Sequence, residues 1–270
     1  MRIRLRARLK AFLGWNDPAP CWPALVSLLK RYLLWSRTKR FDVELRYRPV
    51  AQFLKHNMAR LGPNPRILDA GSGPLGLAHH LGRECVGVDV AFPPQAPAIG
   101  AERLERVMGS ITELPFRDRS FDLVTSMDTL EHLTPENRPA AVRELFRVAC
   151  KTVILGAPYG SRASEDDRKA QVVERALGVE PDWRREHVAN GLPGPELDTL
   201  VASLASARGA TRVRIRPHEG LLGHRLRWKL GLTIPQSHPA YGLVMAPLYA
   251  AANRFHVGPC YRRIYYAEFG

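Results

Sequence analysis

A glycine-rich stretch between a buried strand and a helix constrains the fold of this chain more than any other feature. Residues 68–76 read Leu-Asp-Ala-Gly-Ser-Gly-Pro-Leu-Gly, after an apolar run at Arg66–Ala70 and before a helical segment at about Leu75–Leu81. Glycine adopts positive φ angles without steric cost and lets the backbone approach a ligand closely. The pattern therefore predicts a strand–turn–helix unit with a ligand-binding turn.

Short apolar runs alternate with helical segments along the following chain. The predicted strands after the first are Cys85–Val90, Leu104–Met108, Phe121–Ser126, Thr152–Ala157 and Thr211–Arg216. The predicted later helices are Pro135–Ala149 and Glu196–Arg208. This alternation predicts an α/β fold with a mostly parallel twisted sheet and helices on both faces. The last run, Arg262–Phe269, alternates in the way that is typical of an edge strand.

The remaining segments divide the chain into a main domain and additions to it. Residues 1–60 form a basic segment that is predicted to be helical from residue 22, with Pro49 at a helix start and Gly62-Pro63 at the end. Residues 61–270 form the main domain, with insertions at about 159–193 and 217–260. An insertion that follows a strand of such a sheet begins at the ligand-binding edge.

The charge of the chain is concentrated in its first 60 residues. The formal net charge is +14, and residues 1–60 hold 14 lysines and arginines against three acidic residues. A local basic patch suits a polyanion, either a membrane surface or a nucleic acid. The four cysteines are far apart and form neither a metal spacing nor a disulfide framework, so we expect a reducing, cytoplasmic compartment.

A carboxylate at the end of the second predicted strand extends the glycine-rich motif. Asp89 lies 20 residues after Asp69, where a carboxylate can accept hydrogen bonds from two ribose hydroxyls. The three glycines of residues 71–76 also satisfy the Gly-x-Gly-x-x-Gly pattern of NAD-binding proteins. From the loop alone, NAD therefore stays an alternative cofactor.

Two further blocks give the sequence a family resemblance. Residues 109–124 contain Leu-Pro-Phe and then Ser-Phe-Asp, and residues 130–133 read Leu-Glu-His-Leu. With the loop and Asp89, this ordered set resembles the class I S-adenosylmethionine-dependent methyltransferases, especially the type 11 group. The resemblance covers residues 60–160 closely and implies a Rossmann-like methyltransferase fold, S-adenosyl-L-methionine as cofactor and methyl transfer as the reaction.

The resemblance also implies roles for seven residues in cofactor binding. Asp69, Gly71 and Gly73 match the loop at the methionine end of the cofactor, and Asp89 matches the ribose ligand. The positions that contact the adenine ring in the family are matched by Val90, Ser110 and Ile111. Ser110 departs from the family, which usually has aspartate there, although a hydroxyl group can still form a hydrogen bond to the adenine edge.

Catalysis needs little from the protein if the reaction is methyl transfer. The sulfonium is a good leaving group, so we expect no metal, and the protein mainly holds the acceptor in line with the methyl group. The candidates for a base are His132, Asp128, Tyr159 and His187. We also expect residues 159–193 to form a lid, with Tyr159, Glu186 and His187 near the pocket.

The acceptor is not named by the sequence, but three hypotheses follow. The first is a small or lipid-linked acceptor, with the protein cytoplasmic or peripheral on the inner face of a membrane, because the basic segment contains aromatic residues suited to headgroups. These aromatic residues are Phe12, Trp15, Trp22, Tyr32 and Trp35. The alternatives are an RNA methyltransferase that uses the basic segment on phosphates, and a non-catalytic cofactor-binding or membrane-associated subunit.

Overall fold

A computed structural model of the chain describes residues 41–74, 76–92, 101–234, 244, 247 and 259–270. The strands are β1 (Ile67–Ala70), β2 (Cys85–Asp89), β3 (Leu104–Met108), β4 (Phe121–Met127), β5 (Ala149–Pro158), β6 (Ala210–Gly220) and β7 (Cys260–Phe269). They form one sheet in the order β3-β2-β1-β4-β5-β7-β6. Neighbours among β1 to β5 are parallel, and β7 is antiparallel to β5 and β6. The predicted α/β fold is confirmed.

Helices cover both faces of this sheet. They are α1 (Phe41–Leu61), α2 (Ala78–Leu81), α3 (Arg138–Val148), α4 (Gly160–Ala176), α5 (Asp182–Asn190), α6 (Pro195–Ala207) and α7 (Leu221–Thr233). Short 3₁₀ turns occupy Ala101–Arg103 and Leu130–His132. One core cluster joins the sheet to α3 and α6, and a second joins it to α1 and α2. No helix in the described ranges is long and apolar enough to cross a membrane.

The prediction that the last run is an edge strand is wrong. β7 lies between β5 and β6, and β6 forms the edge of the sheet. The alternating polar residues of β7 are buried in ion pairs instead of facing water: Arg262 donates to Asp128 and Glu219, and Glu268 pairs with Arg60. Sequence periodicity alone does not distinguish a solvated polar residue from one that is neutralised inside the fold.

The prediction that Pro49 starts a helix is also wrong, because Pro49 lies inside α1. Proline has no backbone N–H group, so the carbonyl of Leu45 loses its partner within the helix. His218 Nε2 of β6 lies 3.1 Å from that carbonyl oxygen and replaces the missing donor. The helix ends where the sequence predicts, since Gly62 has a φ of +98° and donates to the carbonyl of Met58.

The other differences concern boundaries and coverage. Helix and strand ends differ from the predicted ones by up to four residues, and β6 extends to Gly220, so the predicted insertion 217–260 begins inside a strand. Residues 159–193 form α4 and α5. The predicted helices in residues 22–40, and most of the insertion beyond residue 234, lie outside the described residues.

Candidate active site

The turn after β1 has the geometry that its glycines require. Gly71, Gly73 and Gly76 have φ angles of +76°, +59° and +56°. The Gly71 amide donates to the carbonyl of Val88 over 2.7 Å, which fixes the turn against the end of β2. A Cβ atom on Gly71 would lie 2.8 Å from Cβ of Thr129, so the turn also packs tightly against the segment after β4.

The buried side chain of Asp69 holds this turn in place. Its side chain is fully buried, and Oδ2 accepts a hydrogen bond of 2.8 Å from the amide of Leu77. Burial raises the pKa of Asp69 to about 7, although the nearby hydroxyl group of Tyr47 acts in the opposite direction. The structure thus places Asp69 between β1, the start of α2 and α1, where it positions the turn.

Asp89 lies at the end of β2 and faces the same turn. Its Oδ2 accepts a 2.8 Å hydrogen bond from the amide of Gly73, and its Oδ1 has a long contact of 3.5 Å with the amide of Ala91. The carboxylate is partly exposed, and the neighbouring Val90 side chain is exposed. A carboxylate held in this way can accept hydrogen bonds from a diol at the carboxyl edge of the sheet.

Ser110 and Ile111 follow β3 at the same edge. The hydroxyl group of Ser110 lies 2.7 Å from that of Thr112 and accepts a 3.2 Å hydrogen bond from the Thr112 amide. Ile111 has its side chain in the core, which leaves its backbone for contact with a ligand. The sheet order brings these residues next to the turn, because β3, β2, β1 and β4 are parallel neighbours.

Two of the four predicted bases are held in strong polar contacts. Both oxygens of Asp128 accept hydrogen bonds from Arg262, at 2.6 and 2.5 Å. Burial alone would raise the pKa of Asp128, but the charges of Arg262 and Arg46 outweigh it and lower the pKa. Tyr159 donates to Asp198 over 2.5 Å, and burial together with that carboxylate raises its pKa to about 12. Both contacts favour structural roles.

The other two predicted bases, one in the turn after β4 and one in α5, lie side by side. The ring centroids of His132 and His187 are 5.1 Å apart. His132 Nδ1 is 2.5 Å from a carboxylate oxygen of Glu186, and His187 Nδ1 is 2.9 Å from Asp167 Oδ2. The structure therefore brings Glu186 and His187 of α5 to His132, whereas the hydroxyl group of Tyr159 binds Asp198 of α6 instead.

Glu131 completes this cluster, although it was not predicted from the sequence as a site residue. Its side chain is 0 % exposed, and neither carboxylate oxygen has a hydrogen-bond partner among the described residues. Burial and the nearby charge of Asp128 raise its pKa well above the usual range. One ligand atom each from Glu131, His132 and His187 lies within 4.8 Å of the others. The only sequence signal is the Leu-Glu-His block, because His187 lies 55 positions beyond His132.

Buried ion pairs hold α5 in this position. Arg184 of α5 pairs with Asp167 and Glu174 of α4, and all three side chains are buried. Tyr261 of β7 donates to Asp167 over 3.0 Å, and Trp228 of α7 donates to Glu174 over 2.7 Å. These contacts join α4, α5, α7 and β7 into one polar cap beside the carboxyl end of β4.

Comparisons with known proteins agree with this geometry. The sequence profile of a methyltransferase domain matches residues 68–155, which run from β1 to β5 and include the turn, Asp89 and the block after β4. This match identifies a methyltransferase domain in residues 68–155, of the kind found in the class I S-adenosylmethionine-dependent methyltransferases.

Individual relatives of this chain share only part of their length with it. The glycine/sarcosine/dimethylglycine N-methyltransferase of Actinopolyspora halophila is 27% identical over 195 residues, which cover 64% of this chain and 34% of that protein. The demethylmenaquinone methyltransferase of Roseiflexus castenholzii is 37% identical over 142 residues, which cover 43% and 56%. The chain thus spans about a third to a half of the length of these relatives.

A solved structure shares the fold of this chain. The methyltransferase domain of bacterial CtHen1-C superposes with a TM-score of 0.51 and 16% sequence identity, and the match covers 84% of this chain and 98% of that one. This similarity concerns the fold.

The residues at the carboxyl edge fit the cofactor of this family, S-adenosylmethionine. A Cβ atom on Gly73 would meet no atom within 4 Å, so the turn is open there, and Asp89 keeps one oxygen with only a long internal contact. An open cavity of about 680 Å³ lies instead at the amino ends of the strands, between the starts of β1, β2 and β3. None of the predicted site residues lines that cavity.

Proposed function

We propose that this chain transfers the methyl group of S-adenosylmethionine to a small or lipid-linked acceptor. The observation that carries the proposal is the contact between Asp89 and the Gly73 amide, because it fixes a ribose-binding carboxylate beside a turn that is open to a ligand. The bound cofactor supplies an activated methyl group, so the residues of the chain need only bind, orient and exclude water.

The residues of the site divide this work between them. The turn at residues 71–73 holds the methionine end of the cofactor, and Asp89 holds the ribose. Val90 and the residues after β3 flank the adenine. The acceptor approaches over the segment after β4, and α4 and α5 form the wall of its pocket.

The names of the relatives support a small acceptor. One relative is named for glycine and its methylated derivatives, and another for demethylmenaquinone. The basic segment 1–60 adds support for an amphiphilic acceptor at an anionic membrane surface, since each basic residue near such a surface contributes about 1 kcal/mol. On this proposal the protein is cytoplasmic and binds the inner face of a membrane.

Two alternatives predict a different fate for the methyl group of the cofactor. An RNA methyltransferase would use the basic segment on phosphates, and a non-catalytic subunit would bind the cofactor without turnover. Ser110 is the residue that keeps the second alternative open, because the family usually has an aspartate there.

The experiment is to incubate the protein with methyl-labelled cofactor and cell extract, and then to separate lipid, RNA, protein and small-molecule fractions. We expect label in the lipid or small-molecule fraction, and much less with Asp89→Ala than with the surface control Asp182→Ala. Label in RNA would establish the RNA alternative. Tight cofactor binding without label in any fraction would establish the non-catalytic one.

A further inference from the structure

We infer that Glu131, His132 and His187 bind a divalent transition-metal cation at the carboxyl end of β4. Their ligand atoms lie within 4.8 Å of one another, which is close enough to surround one ion. Metal binding is independent of the proposed function, and the role given to the metal below rests on it.

The buried carboxylate of Glu131 needs a partner for its charge. Its carboxylate is fully buried, and no described residue forms a hydrogen bond with either oxygen. The nearby guanidinium groups already have other partners: Arg262 pairs with Asp128 and Glu219, Arg46 pairs with Asp128, and Arg138 donates to the carbonyl of Leu130. A buried carboxylate without a partner is costly, so this one needs a cation or a proton.

The hydrogen bond of His187 leaves one ring nitrogen directed at Glu131. His187 Nδ1 lies 2.9 Å from Asp167 Oδ2, and Arg184 pairs with the same buried carboxylate. With Nδ1 donating to this carboxylate, Nε2 is the ring nitrogen that is left with a lone pair. That atom faces Glu131 Oε1 at 3.8 Å, too far for a hydrogen bond. Two acceptors that face each other in a buried site leave a position for a metal ion.

His132 repeats the arrangement of His187. Its Nδ1 lies 2.5 Å from a carboxylate oxygen of Glu186, so its other ring nitrogen is left for a ligand. Metal-binding histidines usually donate their second nitrogen to a carboxylate, which orients the ring. The side chain of His132 is 34 % exposed, so a cation can reach the cluster from solvent.

The donor atoms indicate which cation would bind. Two imidazole nitrogens and one carboxylate suit Zn²⁺, Co²⁺, Mn²⁺ or Fe²⁺, whereas Mg²⁺ and Ca²⁺ favour oxygen ligands. Three protein ligands leave at least one position open, as in catalytic metal sites.

The open position indicates an acceptor with a hydroxyl group. Thr129 packs against Gly71 and lies two residues before Glu131, so the cluster is beside the turn proposed to hold the cofactor. A metal ion lowers the pKa of a hydroxyl group bound to it, and the proton leaves to solvent water. The resulting alkoxide or phenolate then attacks the methyl carbon. The new O–C bond forms as the C–S bond breaks, and S-adenosylhomocysteine leaves as a neutral thioether.

The test is a titration of metal-depleted, tag-free full-length protein with Co²⁺, followed by visible absorption, and with Zn²⁺ and Mn²⁺ by calorimetry. We expect one equivalent to bind, with at least about tenfold weaker affinity in Glu131→Gln and in His187→Gln. The matched controls are the exposed residues Glu113 and His56, and Glu113→Gln and His56→Gln should bind as the wild type does.

Thermal unfolding gives a second measurement that does not depend on activity. Saturating metal should raise the midpoint of the wild type clearly more than that of Glu131→Gln, because the stabilisation by a ligand grows with its affinity for the folded state. Without metal, Glu131→Gln should be at least as stable as the wild type, since it removes an unpaired buried carboxylate.

The outcomes separate this inference from the proposed function. Absence of metal binding in a protein that binds S-adenosylmethionine would overturn the inference alone, and a proton would then neutralise Glu131. Metal binding that survives both substitutions would also overturn it. Metal binding that is lost in both variants, in a protein that does not bind the cofactor, would support the site and refute the proposed function.

Discussion

At the scale of single residues, Asp89 carries most of the cofactor binding. Asp89→Ala removes a carboxylate that we expect to accept two ribose hydrogen bonds, each worth about 1.5–3 kcal/mol when a charged group takes part. Affinity for S-adenosylmethionine should fall at least about tenfold in calorimetry. Asp182, an exposed aspartate at the start of α5, is the matched control. Equal affinity in wild type and Asp89→Ala would refute the ribose assignment.

Gly71 tests the packing of the turn. Gly71→Ala should lower the free energy of unfolding by at least about 2 kcal/mol, because φ is +76° and the new methyl group overlaps Thr129. Gly73→Ala is the control: its φ is +59° and no atom lies within 4 Å, so only about 1 kcal/mol of backbone strain should appear. Adding Thr129→Gly should recover the overlap energy in Gly71→Ala and not in Gly73→Ala. Equal costs in the two alanine variants would contradict the packing argument.

The residues found from sequence and those that were missed differ in how far apart they lie along the chain. The glycines and Asp89 belong to a strand–turn–helix–strand unit, so spacing over about 20 residues was enough to find them. Glu131 and His187 meet only because α5 folds back beside β4. His187 was named as a candidate base, but its partners Asp167 and Glu131 depend on long-range packing that local spacing does not contain.

At the scale of helices and strands, His218 explains an uninterrupted helix with an internal proline. His218→Leu should destabilise the protein by about 1–3 kcal/mol, because the buried carbonyl of Leu45 loses its donor. In a Pro49→Ala background the cost should be smaller, since the new amide at position 49 can donate to Leu45. Chemical denaturation of the four proteins measures this coupling, and additive costs would contradict it.

The same histidine predicts a dependence of stability on pH. Burial, helped by the charge of Arg262, lowers the pKa of His218 from 6.5 to about 4. Between these values the unfolded chain binds a proton that the folded chain does not, so stability should fall as the pH drops from about 6.5 to about 4. The contribution is on the order of 3 kcal/mol. Denaturation curves of His218→Gln should show a shallower decline over this range, and an unchanged decline would refute the assignment.

The sheet could be predicted from the sequence for β1 to β5, but not for the position of β7. β1 to β5 follow the alternation of strands and helices that the sequence shows, so their order and direction come from general rules for such folds. Only β7 runs in the reverse direction, and its position was predicted wrongly because it inserts between β5 and β6 instead of forming the edge. Its arginines satisfy Asp128, Glu219 and Asp198 within the fold, and in sequence these arginines are indistinguishable from solvated residues.

At the scale of the whole molecule, the basic segment predicts membrane association. In vesicle flotation at low salt, the full-length protein should bind anionic vesicles and not neutral ones, and removal of residues 1–20 should weaken binding, since that part holds five of the basic residues. Raising the salt concentration should release the protein. Tight RNA binding without binding to anionic vesicles would replace the membrane proposal with the RNA alternative.

At the same scale, the identity of the bound cofactor tests the roles assigned to the fold, the turn and Asp89 together. Equilibrium titration of the full-length protein with S-adenosylmethionine and, separately, with NAD compares the two ligands that the glycine pattern permits. We expect one equivalent of S-adenosylmethionine to bind, with competition by S-adenosylhomocysteine and no saturable binding of NAD. Saturable binding of NAD by a protein that does not bind S-adenosylmethionine would contradict the proposal that this chain is a methyltransferase.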